Sequence, residues 1–252
     1  RPAGAGQRLA ELFQEEWEWR LRESPTFASY QGDRRYNRLW NDVSLEAIER
    51  RHTERQAFHK RLLAIDSAEL NHQDRLNYRL FRWQLEADIE AHGFRGHLVP
   101  LTQREGIQDE STLADALSFR TAQDYDDWIA RLVAFPRYVD QTIELMRAGI
   151  AARLVQPKIV MARLPHQIRQ QIVDDPRESL YFKPFRTLPA SMPAEERERL
   201  TDAALQAIAG QVVPAYRRFA KFFDEEYYPA CYEQVGLWQA PRGDAAYAMR
   251  AR

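Results

Sequence analysis

Thr121-Ala-Gln-Asp124-Tyr125-Asp-Asp-Trp128-Ile129-Ala-Arg131-Leu132-Val-Ala-Phe135-Pro136-Arg-Tyr138-Val139-Asp140-Gln-Thr-Ile143-Glu-Leu-Met146-Arg-Ala-Gly149-Ile150 is the stretch whose pattern decides the fold. Tyr125, Ile129, Leu132, Phe135, Val139, Ile143, Met146 and Ile150 recur at intervals of three and four, which places them on one face of a helix. Thr121 followed by Asp124 forms a capping-box variant, with a hydroxyl to cap the first turn and a carboxylate in the favourable end of the helix dipole. Pro136 is expected to kink this helix and Gly149 to loosen its end.

The same reading extends in both directions. Leu9, Leu12, Phe13 and Trp17 mark an opening helix that stops before Ser24-Pro25, because proline disfavours helical geometry in the residue before it. Ser44 suits the N-cap of a charged helix that runs to about Ile65, with Leu45, Ile48, Phe58 and Leu62 as its apolar positions. A helix from about Asn71 to His92 ends at Gly93. Tyr78, Phe81, Leu85 and Ile89 share one of its faces and Leu76, Leu80 and Trp83 a neighbouring one, so central burial is expected. Further helices are predicted over Lys158 to Val173, Ala194 to Ala209 and Val212 to Tyr227, with Gly210 and Pro214 punctuating the last junction.

No segment alternates apolar and polar residues between hairpin turns, so the expected class is all-α, a multi-helix array with long helices. Two long irregular segments interrupt it, Gly93 to Arg120 and Pro176 to Met192, and loops of that length are more often functional or interface-forming than neutral. The organisation expected is a flexible start and opening helix over 1–23, then one helical portion over 24–252. The small-residue run Arg1-Pro-Ala-Gly-Ala-Gly6 suits a position just after a removed export signal or at the start of an excised segment.

Composition excludes several classes. With 36 basic and 37 acidic residues the chain has no net field to attract phosphate backbones, and nucleic acid is not an expected partner. No apolar run approaches the roughly 20 residues that cross a bilayer. One cysteine, Cys231, excludes an internal disulfide framework, and its aromatic neighbours point to a small buried hydrophobe.

Metal chemistry has two sequence candidates, the Glu-x-x-His pairs Glu49/His52 and Glu69/His72, whose spacing is that of di-iron helical bundles. If the helices starting near each pair form an antiparallel hairpin, the pairs lie at opposite ends, on the order of 20 Å apart at 1.5 Å per residue, and cannot share an ion. The six histidines include no pair one helical turn apart, so the zinc-peptidase string HExxH is missing, and each histidine reads as a surface or capping residue. Nucleophile-elbow, Ser-x-x-Lys and phosphate-loop patterns are missing too. The most suggestive polar stretch is Pro100-Leu-Thr-Gln103-Arg104-Glu-Gly106, which presents an amide and a guanidinium beside a permissive glycine.

Several segments, taken in order, resemble a bacterial family catalogued as domain of unknown function 885. They are Ser24-Pro-Thr-Phe-Ala-Ser-Tyr-Gln-Gly32, Pro100-Leu-Thr-Gln103, Asp124 to Leu132 with Phe135-Pro136, Asp140 to Gly149 with Pro157, Val213-Pro-Ala-Tyr216, and Val235 to Gly243 with Tyr247. The resemblance implies a longer, often exported protein similar to helical HExxH zinc metallopeptidases, with the zinc motif in a C-terminal half beyond the segment similar to Gly236 to Tyr247. No catalytic or zinc residue then falls on this chain, and zinc belongs to the full-length protein. The implied role is a helical wall of a cleft for a peptide substrate, inactive alone, with Gln103, Arg104 and Tyr247 as the substrate-facing residues. The implied partner is the C-terminal half of the same polypeptide, and the implied location is periplasmic or secreted.

Two other readings stand beside it. One is a stand-alone binding or assembly module that holds a peptide, a lipid or another subunit through the aromatic loop around Tyr181 to Phe185 or through a helix face, and that forms a homodimer through exposed apolar surface. The other is a di-iron oxidoreductase resting only on the two Glu-x-x-His pairs.

Overall fold

The computed structural model describes residues 4–251 and is all-helical, with a single isolated bridge, Pro157 to Tyr232, among the described residues. The helices are α1 (Ala5–Glu23), α2 (Pro25–Tyr30), α3 (Leu45–Leu63), α4 (His72–His92), α5 (Leu113–Ala116), α6 (Ala122–Ala151), α7 (Lys158–Met161), α8 (Leu164–Arg169), α9 (Ala194–Ala207), α10 (Val213–Phe222), α11 (Tyr228–Ala230) and α12 (Gly243–Arg250). Residues 1–3 of the expected flexible start lie outside the described residues, but α1 already begins at Ala5, whose side chain is buried in the first core.

Two hydrophobic cores form. The smaller lies among α1, α3 and α4, where Leu9, Leu12, Trp19, Phe58, Leu62, Tyr78, Phe81 and Leu85 pack together. The larger surrounds α6, whose buried face (Tyr125, Trp128, Leu132, Phe135, Val139 and Met146) meets Tyr216, Phe219 and Phe223 from the C-terminal helices and Tyr181, Phe182 and Phe185 from the second long loop. Local chemistry explains the helix starts: Ser44 and Asn71 cap α3 and α4 by accepting from the amides of Ala47 and Asp74. At α6 the Asp124 carboxylate accepts from the backbone of Arg120 at 2.9 Å and of Thr121 at 2.8 Å, as the capping-box reading requires.

The helix α6 runs unbroken through Pro136. At the C-terminal side, Gly210 and Pro214 do not separate two helices: α9 and α10 are joined by a π turn over Ile208–Val212, and α10 continues through a second π turn, Phe223–Tyr227, into α11. Each π turn ends two residues before a proline, Pro214 or Pro229. A proline supplies no amide and its ring collides with the carbonyl four residues earlier, so widening the preceding turn lets the helix axis continue.

Other corrections concern packing. The predicted helix over Lys158 to Val173 is two short helices, α7 and α8. Gly149 does not loosen α6; a Cβ there would lie 2.6 Å from the Leu98 carbonyl oxygen, so glycine lets the helix touch the first long loop. The second apolar face of α4 is not buried. Leu76, Leu80 and Trp83 are 41%, 57% and 68% exposed, because α1 and α3 cover only the Tyr78, Phe81 and Leu85 side.

Candidate functional site

The first long loop, residues 93–120, lies over the larger core as a set of short turns held from below. Three glutamine amides from the segment after α6 donate to its carbonyls: Gln156 to Leu101 at 3.1 Å, Gln167 to Gln103 at 3.3 Å and Gln171 to Gln108 at 3.2 Å. Within the loop Gln108 donates to the Thr102 carbonyl at 3.0 Å, and Gly106 turns the chain at φ +136°, where a Cβ would meet the Leu101 side chain at 2.5 Å. Gly106 is therefore required by both backbone conformation and space.

A tyrosine relay fixes the loop's far end. Tyr216 donates its hydroxyl to the Ile107 carbonyl at 2.6 Å, so the Tyr181 hydroxyl, 2.7 Å from it, is the donor in their mutual bond. Tyr138 donates to Glu110 Oε1 at 2.7 Å. Burial pushes the Glu110 carboxyl upward and holds the Tyr138 and Tyr181 phenols well above their ordinary range, so all three phenols in this cluster remain protonated donors at neutral pH.

Arg131 is fully buried nearby, donates to Ser29 Oγ and to the Tyr36 carbonyl, each at 3.0 Å, and lies over the Trp40 ring at 5.5 Å. Burial pushes its guanidinium down to about 10, which leaves it charged at neutral pH. It thus ties the segment after α2 to α6 beside the Trp40 and Tyr138 rings, which stack at 5.1 Å and form part of a cleft of about 330 Å³ between the two cores.

The sequence-predicted substrate residues occupy this platform and its neighbour. Gln103 and Arg104 are exposed on the pinned loop, and the Thr102 hydroxyl accepts from the Arg104 and Glu105 amides. Tyr247 is 68% exposed on α12. The helix α12 meets the start of the same loop, where Arg242 lies over the Phe94 ring at 4.7 Å and reaches the Gly93 carbonyl at 3.4 Å. No hydrogen bond or ring contact joins Tyr247 to Gln103 or Arg104 among the described residues. Val235 and Trp238, each 61% exposed, add to the exposed apolar surface of this C-terminal corner.

The aromatic loop does not offer a binding surface. Tyr181, Phe182 and Phe185 are buried, and Trp128 donates to the Tyr181 carbonyl at 3.1 Å. Cys231 is buried, its thiol pushed up to about 12 by desolvation, so it stays protonated and unreactive at neutral pH.

The two Glu-x-x-His pairs do lie at opposite ends of the α3/α4 hairpin. Glu69 sits in the turn before α4, 4.0 Å from Arg8, whereas Glu49 and His52 meet the other end of α4. There the structure assembles something the sequence reading missed: His52 and His92 stack at 3.8 Å and 12°, and His97 lies 5.3 Å beyond His92. The antiparallel hairpin could have revealed it, since His92 ends α4 where α3 begins. Parallel rings so close cannot both aim in-plane lone pairs at one ion, and no group of three or more His, Cys, Asp or Glu side chains among the described residues could hold a metal.

Comparison with known proteins places this architecture. The family described as "Bacterial protein of unknown function (DUF885)" matches residues 25–252. No curated protein matches. A crystal structure described as the putative lipoprotein from Colwellia psychrerythraea superposes with a TM-score of 0.87 at 16% identity, over 97% of this chain and 45% of that one. At that identity the likeness concerns the fold alone, and the chain spans less than half the length of the structure it matches. Among the described residues no helix is long and apolar enough to cross a membrane.

Proposed function

The chain belongs to the DUF885 family, and from that premise we propose that it is the N-terminal helical portion of an exported zinc-metallopeptidase-like hydrolase, forming one wall of the substrate cleft. One observation supports its being a portion of a larger protein: nearly the whole chain finds its counterpart in under half of a longer protein, while the peptidase part of the reading rests on the family resemblance. In this reading the zinc and the hydrolytic groups lie in the other part of the full-length polypeptide, as the family resemblance implies, and this chain supplies binding surface. Export is supported by the lipoprotein description of the structural neighbour.

In this reading the pinned loop displays Gln103 and Arg104 toward a peptide. A loop whose carbonyls are held by three glutamine amides and a tyrosine keeps its backbone positioned, which lowers the ordering cost on binding. Tyr247 contributes an amphipathic ring from the exposed C-terminal corner, which meets the complementary part of the protein. The test is kinetic. In the full-length protein, Arg104→Ala and Tyr247→Ala should raise KM for peptide substrates about tenfold, a loss of about 1.4 kcal/mol, with thermal stability unchanged. Unchanged KM in both variants would remove these residues from the cleft.

A second reading, a stand-alone module that self-associates, is favoured by the stripe of Leu76, Leu80 and Trp83 on α4. Sedimentation at rising concentration separates it from the first: a dimer abolished by Trp83→Ser supports it, and a monomer throughout defeats it.

A further inference from the structure

We propose that His52, His92 and His97 form an acid-sensitive latch that fastens the end of the α3/α4 hairpin to the loop leading into the larger core. The latch lies where the two cores meet. His52 comes from α3, His92 from the last turn of α4, and His97 from the turn Gly96–Leu98, which packs against α6 near Gly149. Their rings form a continuous stack at 3.8 and 5.3 Å beside a cleft of about 340 Å³ lined in part by Arg51, Arg55 and Asp88.

The charged surroundings decide what protonation does. Glu49 on α3 reaches His92 Nε2 at 3.2 Å and can match one imidazolium. Asp88 on α4 is already engaged by Arg55 at 3.4 Å. Gln56 on α3 is hydrogen-bonded to His52 Nε2 at 2.9 Å, and the other charged groups acting on His52 and His97 besides His92 and Glu49 are cations, Arg51 and Arg55 on α3 and Arg95 beside His97; Arg242, just before α12, and Arg250 in α12 come close to Gly93 and Gly96. On α6, Gly149 packs against the Leu98 carbonyl of this turn and adds no charge. A second or third imidazolium in the stack therefore faces like charge at van der Waals distance after Glu49 has matched the first.

The direction is consistent with this geometry. Burial, and next to it the neighbouring His92, holds both His52 and His97 below the ordinary histidine range. The opened state then binds more protons than the closed one once the pH falls below the ordinary histidine value of about 6.5. The closed latch is favoured above that pH and is progressively lost below it. Each extra proton taken up on opening raises the opening constant by up to about tenfold per pH unit.

Hydrogen exchange on the intact chain, corrected for intrinsic rates, tests this at pH 7.5 and 5.5. Opening of residues 88–98 should rise at least about fivefold at the lower pH while the central turns of α6 stay protected. His92→Phe, which keeps a stacked ring but removes the neighbouring imidazole, should reduce that rise, and His97→Gln should reduce it too. Equal protection of residues 88–98 at both pH values would overturn the latch. So would an undiminished rise in His92→Phe and His97→Gln, which would assign the effect to other groups.

Discussion

The larger core and the α1/α3/α4 bundle are built from the same kind of helix but are closed in different ways. In the larger core, α6 is surrounded by helices and by a loop that contributes its aromatic rings, and the buried Tyr181 and Tyr216 hydroxyls are chained to each other and to the Ile107 carbonyl. In the bundle, only one side of α4 is covered, and much of the polar linkage is by exposed ion pairs such as Arg61 with Glu15 and Arg55 with Asp88. Such pairs contribute about 0 to 1 kcal/mol each, whereas a buried aromatic side chain contributes several times that. The difference teaches where coverage is complete: the larger core carries the pinned loop, and the bundle leaves one face of α4 open.

The comparison can be broken most sharply by truncating a fully buried ring of the larger core. Trp128→Ala should cost about 4 kcal/mol in denaturant unfolding, since it removes packing against Phe119 and Tyr181 and leaves the Tyr181 carbonyl without its donor. Leu85→Ala in the bundle should cost less, about 2 to 3 kcal/mol, because a partly covered helix can relax into the space. Equal losses would mean the two cores are equally closed. Tyr216→Phe keeps the ring but leaves the Ile107 carbonyl and the Tyr181 hydroxyl short of a partner, so about 1 to 2 kcal/mol and faster exchange in residues 101–112 are expected. At the small end, Leu80→Ser on the open face of α4 should change stability by no more than about 0.5 kcal/mol. Alkylation of Cys231 should track unfolding of the larger core, with the native thiol inert near neutral pH.

Most of the fold was legible because helix signals are local. The stripe on α6, its capping box, and the caps Ser44 and Asn71 are written in consecutive residues. What periodicity could not decide was coverage. It placed Leu76, Leu80 and Trp83 on one face of α4, but only the path of the rest of the chain determines whether a neighbour lies there. Pro214 misled for a related reason: a π turn absorbs it without ending the helix, and that widening has no residue signature of its own. In the candidate site, the loop and its glycine were legible, whereas the glutamines and tyrosines that pin it lie 28 to 109 residues away in sequence. The histidine stack was missed because each ring was read alone; the hairpin brings His52 and His92 together.

The central claim is that this helical unit is the wall of an active site completed elsewhere in the full-length protein. Its most direct test is zinc content together with peptide hydrolysis, measured side by side on this chain and on the product of the full reading frame. The account predicts stoichiometric zinc and hydrolysis in the full-length protein, and neither in this chain alone. Hydrolysis by this chain alone, or a full-length protein that binds no zinc, would contradict it.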